Sequence, residues 1–267
     1  MQLFCENNQE VIDMILIAYR AAENREVLLP TMVCLDGFLL SHSTEAVMLP
    51  SQEEADAYLP PYKNENLRLD VDNPMFINPL CPTSEFSEVR YQQELAFKEA
   101  RKVLPAAMGE FAQKFGRKYG LIETYKTEDA DTVLLGLGSM CGTMKHVVDH
   151  YRAEGKKVGM IKVTSFRPFP AREIAEALKN VKNIGVFDRS AGLGDICGPF
   201  CADVRAALAT YAPGKSASAF LAGLAGRDIR PATIMKAFDM LAEGKTFPET
   251  CWIDTNTEAA LSLREVK

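Results

Sequence analysis

Long apolar runs are missing from this chain. The longest, Val11 to Ala22, is broken by Asp13, and Arg20 and Glu23 close it, too short and too interrupted to span a bilayer. A cationic, cleavable leader is missing as well, since Met1 to Glu6 carries no basic residue. Positive charge is in deficit overall: Lys and Arg total 30 against 36 Asp and Glu, for a net charge of -6. With no basic block to repay phosphate contacts, a nucleic-acid-coating or membrane-surface protein is excluded. The 7 cysteines (Cys5, Cys34, Cys81, Cys141, Cys197, Cys201, Cys251) are odd in number and scattered, and no C-x-x-C occurs. A disulfide framework is therefore disfavoured, and Cys197 and Cys201 read as small buried hydrophobes one helical turn apart. These absences point to a soluble, cytoplasmic protein. What is present is ordinary for a globular chain: 267 residues, 47% hydrophobic and 25% charged, enough for one large domain or a domain with extras.

The chain opens with a helix and a strand. Asn7 or Asn8 is suited to cap the helix, Glu10 sits in its first turn, and Val11 to Tyr19 is apolar nearly all round. Val27 to Leu35 reads as a strand closed by an Asp36-Gly37 turn. Residues 1–45 thus look like the end of a domain entered midway. Val11, Ile12, Ile15, Leu16 and Tyr19 need cover, from the long helix further on or from a second copy of the chain; self-association is the favoured outcome. Residues 46–118 form a proline-rich connector (Pro50, Pro60, Pro61, Pro74, Pro79, Pro82) followed by a long helix capped by Thr83 or Ser84, with a kink or break expected at Pro105. From residue 119 to 245 strands and helices alternate: strands at Thr132–Gly136, Lys157–Val163, Asn183–Asp188 and Ser216–Ala222, helices at Thr143–Glu154, Ala171–Lys179, Pro199–Tyr211 and Pro231–Ala242. This spacing predicts a largely parallel sheet covered on both faces, a three-layer α/β/α sandwich. The tail, 246–267, looks extended and suited to lie on a neighbour.

Two strand-to-helix turns share a glycine pattern, Gly136-Leu-Gly138-Ser139-Met-Cys-Gly142 and Gly192-Leu-Gly194-Asp195-Ile-Cys-Gly198. Such turns bring backbone N–H groups to an anion at a helix N-terminus, so Gly138, Ser139 and Gly194 are candidate cofactor contacts; a plain tight turn is the alternative, and Asp195 weighs against the second. Three residues, not two, precede the last glycine of each turn. The second strand ends in Val163-Thr-Ser165 without an acidic residue, so a dinucleotide fingerprint is rejected. Both turns are expected on one edge of the sheet. Arg167, ending the second strand's extension, is either a ligand-facing or an interface arginine. His146 and His150 share a helix face, but Val147 follows His146 and no third ligand is near, so no metal site is expected. His42 has no paired nucleophile.

Several segments in this order resemble the alpha subunit of pyruvate:ferredoxin oxidoreductases. They are Glu6-Asn-Asn-Gln-Glu10, Leu29-Pro-Thr-Met-Val-Cys-Leu-Asp-Gly-Phe-Leu-Leu-Ser-His42, Leu59-Pro-Pro-Tyr62, Lys114-Phe-Gly-Arg-Lys-Tyr-Gly120, Leu137-Gly-Ser139, Phe166-Arg-Pro-Phe-Pro170, Asp188-Arg189 and Gly223-Leu-Ala-Gly-Arg-Asp-Ile229. The resemblance implies a thiamine-diphosphate enzyme that cleaves a 2-oxoacid to CO2 and an acyl unit, sends electrons through iron–sulfur clusters to ferredoxin or flavodoxin, and delivers the acyl group to coenzyme A. It further implies a transketolase C-terminal-like domain preceded by a remnant of a thiamine pyrimidine-binding domain. Beta, gamma and delta subunits or domains would complete the enzyme, with thiamine diphosphate, Mg2+ and the clusters held off this chain. Family members carry a long stretch ahead of the Glu-Asn-Asn-Gln-Glu segment that here has no counterpart, so no catalytic residue is carried over and the chain's role reads as structural. Related branched-chain or oxalate oxidoreductases, and a non-enzymatic anion- or partner-binding module, are the alternatives.

Overall fold

In the computed structural model, which describes residues 1–64, 67–78 and 80–262, the alternating segments build a six-stranded sheet. Its strands are β3 (Ile122–Tyr125), β4 (Thr132–Gly136), β5 (Val158–Val163), β7 (Asn183–Asp188), β8 (Ser218–Leu221) and β9 (Cys251–Trp252), in the order β3-β5-β4-β7-β8-β9. All neighbours pair in parallel except β3, which runs antiparallel to β5. Strands β4 and β5 are buried at every position, as expected of parallel strands covered on both sides. Helices α5 (Ala171–Leu178) and α6 (Pro199–Tyr211) bury Ile174, Leu178, Phe200 and Val204 on one face. Helices α4 (Met140–Ala153) and α7 (Pro231–Ala242) bury Met144, Val147, Ile234 and Phe238 on the other. This is the expected three-layer sandwich.

The N-terminal segment forms a second core. Helix α1 (Asn8–Ala22) starts on Asn7, whose side chain accepts the Glu10 N–H at 2.9 Å, while the Glu10 carboxylate accepts the Glu6 N–H at 2.7 Å. It turns Met14, Ile17 and Ala21 onto Leu104, Met108 and Phe111 of α3 (Phe86–Phe115). Of the five residues singled out above, Val11 and Leu16 pack against the edge of this core. Ile15 and Tyr19 of that set stay 39% and 55% exposed. Cys5, Val27 and Leu29 complete this core.

Several expectations need correction. The strand predicted over Val27–Leu35 shortens to β2 (Met32–Cys34), since Pro30 interrupts it and Leu28 takes a positive φ of 42°. Strands β1 (Gln2–Phe4) and β6 (Ser165–Arg167) were not expected. With β2 they make a small sheet, β2-β1-β6, that ties the N-terminal segment to the sandwich. The long helix begins after Glu85, without a side-chain cap from Thr83 or Ser84. It runs uninterrupted through Pro105, which lies on its exposed face, so the missing N–H costs less than the packing of Leu104 and Met108 on either side gains. Among its described residues the connector contains one short helix, α2 (Gln52–Tyr58), with a capping box on Ser51 and Glu54, and Tyr58 donates to the Ala107 carbonyl at 2.9 Å. Of the connector prolines, Pro79 lies outside the described residues. The tail is not simply extended: β9 adds to β8, the Arg205 guanidinium holds the Ala217, Phe247 and Pro248 carbonyls, and α8 (Thr257–Ser262) follows. Residues 263–267 fall outside the described part.

Candidate functional site

The sheet order reverses direction between β4 and β7. From β4 the chain passes through α4 to β5 on one side, and from β5 it returns across β4 to β7 on the other. Open α/β sheets bind ligands in the crevice outside the strand carboxyl ends at such a point. A crevice of about 370 Å³ lies there, bounded by Leu137 after β4, Phe187 to Ser190 at the end of β7, and Phe4 and Phe166 of the small sheet. A second hollow, about 390 Å³, shares Met140 and Arg189 with it and opens toward Leu40, Ser43 and Ile229.

Because β4 and β7 are parallel neighbours, both glycine turns lie on the same sheet edge, as expected. Each turn meets an anion, and in both cases it is the chain's own. At the first, the Ser139 N–H donates to Asp36 Oδ2 at 2.8 Å and the Arg189 guanidinium donates to Asp36 Oδ1. Gly138 has φ +70°, and a Cβ there would stand 3.3 Å from Asp36 Oδ2, so glycine serves both the turn and the carboxylate's approach. At the second, the N–H groups of Phe200 and Cys201 in the first turn of α6 donate to Asp188 at 3.0 and 2.9 Å. A Cβ on Gly198 would sit 2.4 Å from Asp188 Cγ. Gly194, at φ +88°, makes its turn away from these donors, beside Leu193 and Trp252. The Asp36-Gly37 turn is therefore more than a turn: its carboxylate joins the N-terminal segment to both sandwich strands.

Arg167 is engaged locally, pairing with Asp203 at 2.8 Å and stacking over Phe166 at 4.2 Å. His150 pairs with Glu154 at 3.1 Å, and the His42 ring meets Ser41 Oγ at 2.8 Å. Cys197 and Cys201 are buried and free, and burial pushes the Cys201 thiol up.

Sequence reading missed a second charged cluster. Lys162 of β5 is 2% exposed, and its ammonium contacts Glu6 at 2.9 Å, Glu10 at 2.5 Å and Glu123 at 2.8 Å. Lys145 adds contacts to Glu6 and Glu123 at 2.8 Å each. Among the described residues these three glutamates are the one group with metal-ligand geometry, and the Lys162 ammonium already bonds all three. One signal was available: a lysine inside a wholly apolar strand needs buried partners.

Burial raises the Asp188 carboxyl to about 6 from 3.8, against the pull of its two N–H bonds and with help from nearby Asp203. A carboxylate whose folded value is raised binds more protons folded than unfolded, so its penalty is absent below about pH 4 and complete above about pH 6. Wild-type stability, measured by urea unfolding relative to Asp188→Asn, is expected to rise by roughly 2–3 kcal/mol as pH falls through this window. A pH-independent difference would contradict the buried, ionised Asp188.

Two family models match the chain. One, pyruvate flavodoxin/ferredoxin oxidoreductase, thiamine diphosphate-binding, covers residues 1–109; the other, pyruvate:ferredoxin oxidoreductase core domain II, covers residues 130–234. The pyruvate synthase subunit PorA of Methanothermobacter thermautotrophicus is 42% identical over 234 residues, covering 88% of this chain and 60% of that protein. PorA of Pyrococcus furiosus is 40% identical over 262 residues, 97% of this chain and 66% of the relative. A ketoisovalerate oxidoreductase subunit VorA of Pyrococcus horikoshii is 42% identical over 229 residues, 85% of this chain and 57% of that protein. The chain thus spans about 60% of the length of the curated relatives it matches. Among solved structures, the 2-oxoglutarate:ferredoxin oxidoreductase of Magnetococcus marinus, with 2-oxoglutarate, coenzyme A and succinyl-CoA bound, shares the fold. Its TM-score is 0.56 at 16% identity, over 89% of this chain and 41% of that one. Among the described residues no helix is long and apolar enough to cross a membrane. By its two matched domains and their order, the chain belongs to the pyruvate:ferredoxin oxidoreductase family, on the side of its PorA-type alpha subunits.

Proposed function

We propose that the chain works as part of the alpha subunit of a thiamine-diphosphate-dependent pyruvate:ferredoxin oxidoreductase, giving acetyl-CoA and CO2, and that its own role is architectural. The observation that carries this reading is the identity of about 40% to PorA subunits across both matched domains. The VorA likeness makes a branched-chain 2-oxoacid the second substrate to test. The backbone donors that would cradle phosphates are taken by Asp36 and Asp188, and no three cysteines come together with metal-ligand geometry among the described residues. On this reading thiamine diphosphate, Mg2+ and the iron–sulfur clusters are held with beta and delta components or other parts of the enzyme, and electrons pass to ferredoxin or flavodoxin, as the family resemblance implies. The open face of α1, with Ile15 and Tyr19, suits a surface that a neighbouring component covers. The purified chain, given thiamine diphosphate and Mg2+, is expected to release no CO2 from pyruvate. Thiamine-dependent release would overturn the architectural role.

A further inference from the structure

We propose that two copies of this chain associate by exchanging an arm: residues 67–78 of each copy lie in the groove that the other forms between the end of α1 and Leu59 to Lys63. The inference goes beyond the family reading and does not depend on it, since it concerns how two copies of this chain meet. The first argument is the arm itself, whose large apolar side chains nothing in its own copy covers. Leu69, Val71 and Phe76 are 97%, 97% and 92% exposed. Single exposed apolar residues are ordinary, but a run of them left this bare within one short stretch marks a surface made to be covered. Leu67, Leu69 and Val71 also alternate with Arg68, Asp70 and Asp72, the pattern of a segment with one face meant for burial.

The second argument is the complementary character of the groove. It is an open hollow of about 400 Å³ with apolar walls from Pro60, Pro61 and the exposed side chains of Tyr19, Leu28 and Tyr62. Of the charges on its rim, Arg20 pairs with Glu110, which leaves Arg25 and Lys63 against Glu23. The arm brings the opposite balance, Asp70 and Asp72 against Arg68. Complementary charge of this kind fixes which surfaces meet and in what register. The third argument is direction. Pro60 and Pro61 hold the chain extended where it leaves the groove, which carries the arm away from its own groove and toward a second copy. Reciprocal exchange then fills two grooves about a twofold axis, the commonest closed arrangement. Each arm and its seat would together bury on the order of 800 Å², and two such contacts reach the size of a stable interface.

Sedimentation equilibrium of the full chain, from low micromolar to about 100 μM, reads the association directly. Wild type is expected to form a dimer that loosens as salt rises. Leu69→Asp combined with Val71→Asp is expected to weaken it about a hundredfold or more. Both positions lie so far in solvent that the fold is kept, as circular dichroism will check. Reversing the groove charges (Arg25→Glu with Lys63→Glu) or the arm charges (Asp70→Lys with Asp72→Lys) should each weaken association about tenfold, and the two reversals combined in one chain should restore it. A chain monomeric throughout, a dimer indifferent to the arm substitutions, or charge reversals whose losses add instead of cancelling would each overturn the proposal.

Discussion

Replacing Lys162 with methionine is expected to destabilise the chain by about 3–5 kcal/mol, the cost typical of removing one partner from a buried ionic group. Methionine matches the stem, so packing changes little, but Glu6, Glu10 and Glu123 would face one another with only Lys145 left to neutralise them. Burial alone would lower the Lys162 value, yet Glu10 and Glu6 outweigh it and hold the ammonium charged well above its ordinary range. For Glu123, burial is outweighed by the hydrogen bonds from Lys145 and Lys162, and its value falls. The signs follow from linkage. The Lys162 contribution is fully present below the ordinary lysine range and is lost only at strongly alkaline pH. The Glu123 contribution is present above the ordinary carboxylate range and fades as pH falls through its lowered folded value. The gap between wild type and Lys162→Met in urea unfolding should thus be wide at pH 7 and narrow in acid. Adding Glu10→Gln to Lys162→Met should recover part of the loss, since it removes one unpaired charge. A loss below 1 kcal/mol at pH 7 would mean that the cluster does not hold the N-terminal segment on the sheet.

The second large effect belongs to Asp13, the residue that breaks the longest apolar run. Its side chain is fully buried and accepts from Arg117 at 2.6 and 2.7 Å, from the Tyr119 hydroxyl at 2.6 Å and from Gln9 at 3.1 Å. Arg117 in turn lies over Phe111, 5.6 Å from the ring centroid. Asp13→Ala strands the guanidinium and the phenol beside an apolar core, and a loss of about 3 kcal/mol is expected. Tyr119→Phe should cost only about 1–2 kcal/mol, because it removes one donor and leaves the bidentate pair. Burial and the Asp13 contact both push the Tyr119 hydroxyl up, so its absorbance titration should shift back toward the ordinary range in Asp13→Ala. An unshifted titration would contradict the contact.

The sandwich was readable because its signals are local. Pro199 at a first helical turn, Pro231 likewise, and unbroken runs such as Thr132–Gly136 mark their own elements within a few residues. The missed strands β1, β3 and β6 are three or four residues long and exist through partners far along the chain, as in Leu3 opposite Ser165 and Ile122 opposite Val163. No local pattern specifies such pairing. The glycine turns were found from their spacing, but the occupant of the first was not, because Asp36 lies 103 positions from Ser139 and 153 from Arg189. The Asp36-Gly37 pair carries a perfectly good turn signal that conceals its second role. Lys162 and Asp13 were each visible as a charge in an apolar segment. That observation predicts a buried partner without naming it, since the partners come from other elements.

Anaerobic purification of the chain by an affinity tag from the cells that make it, followed by a dye-reduction assay, tests the functional reading most directly. The expected result is a multi-subunit complex that reduces viologen only when pyruvate and coenzyme A are both supplied, with slower turnover on branched-chain 2-oxoacids. A cofactor-loaded complex that turns over no 2-oxoacid, or a chain recovered without any partner, would contradict it.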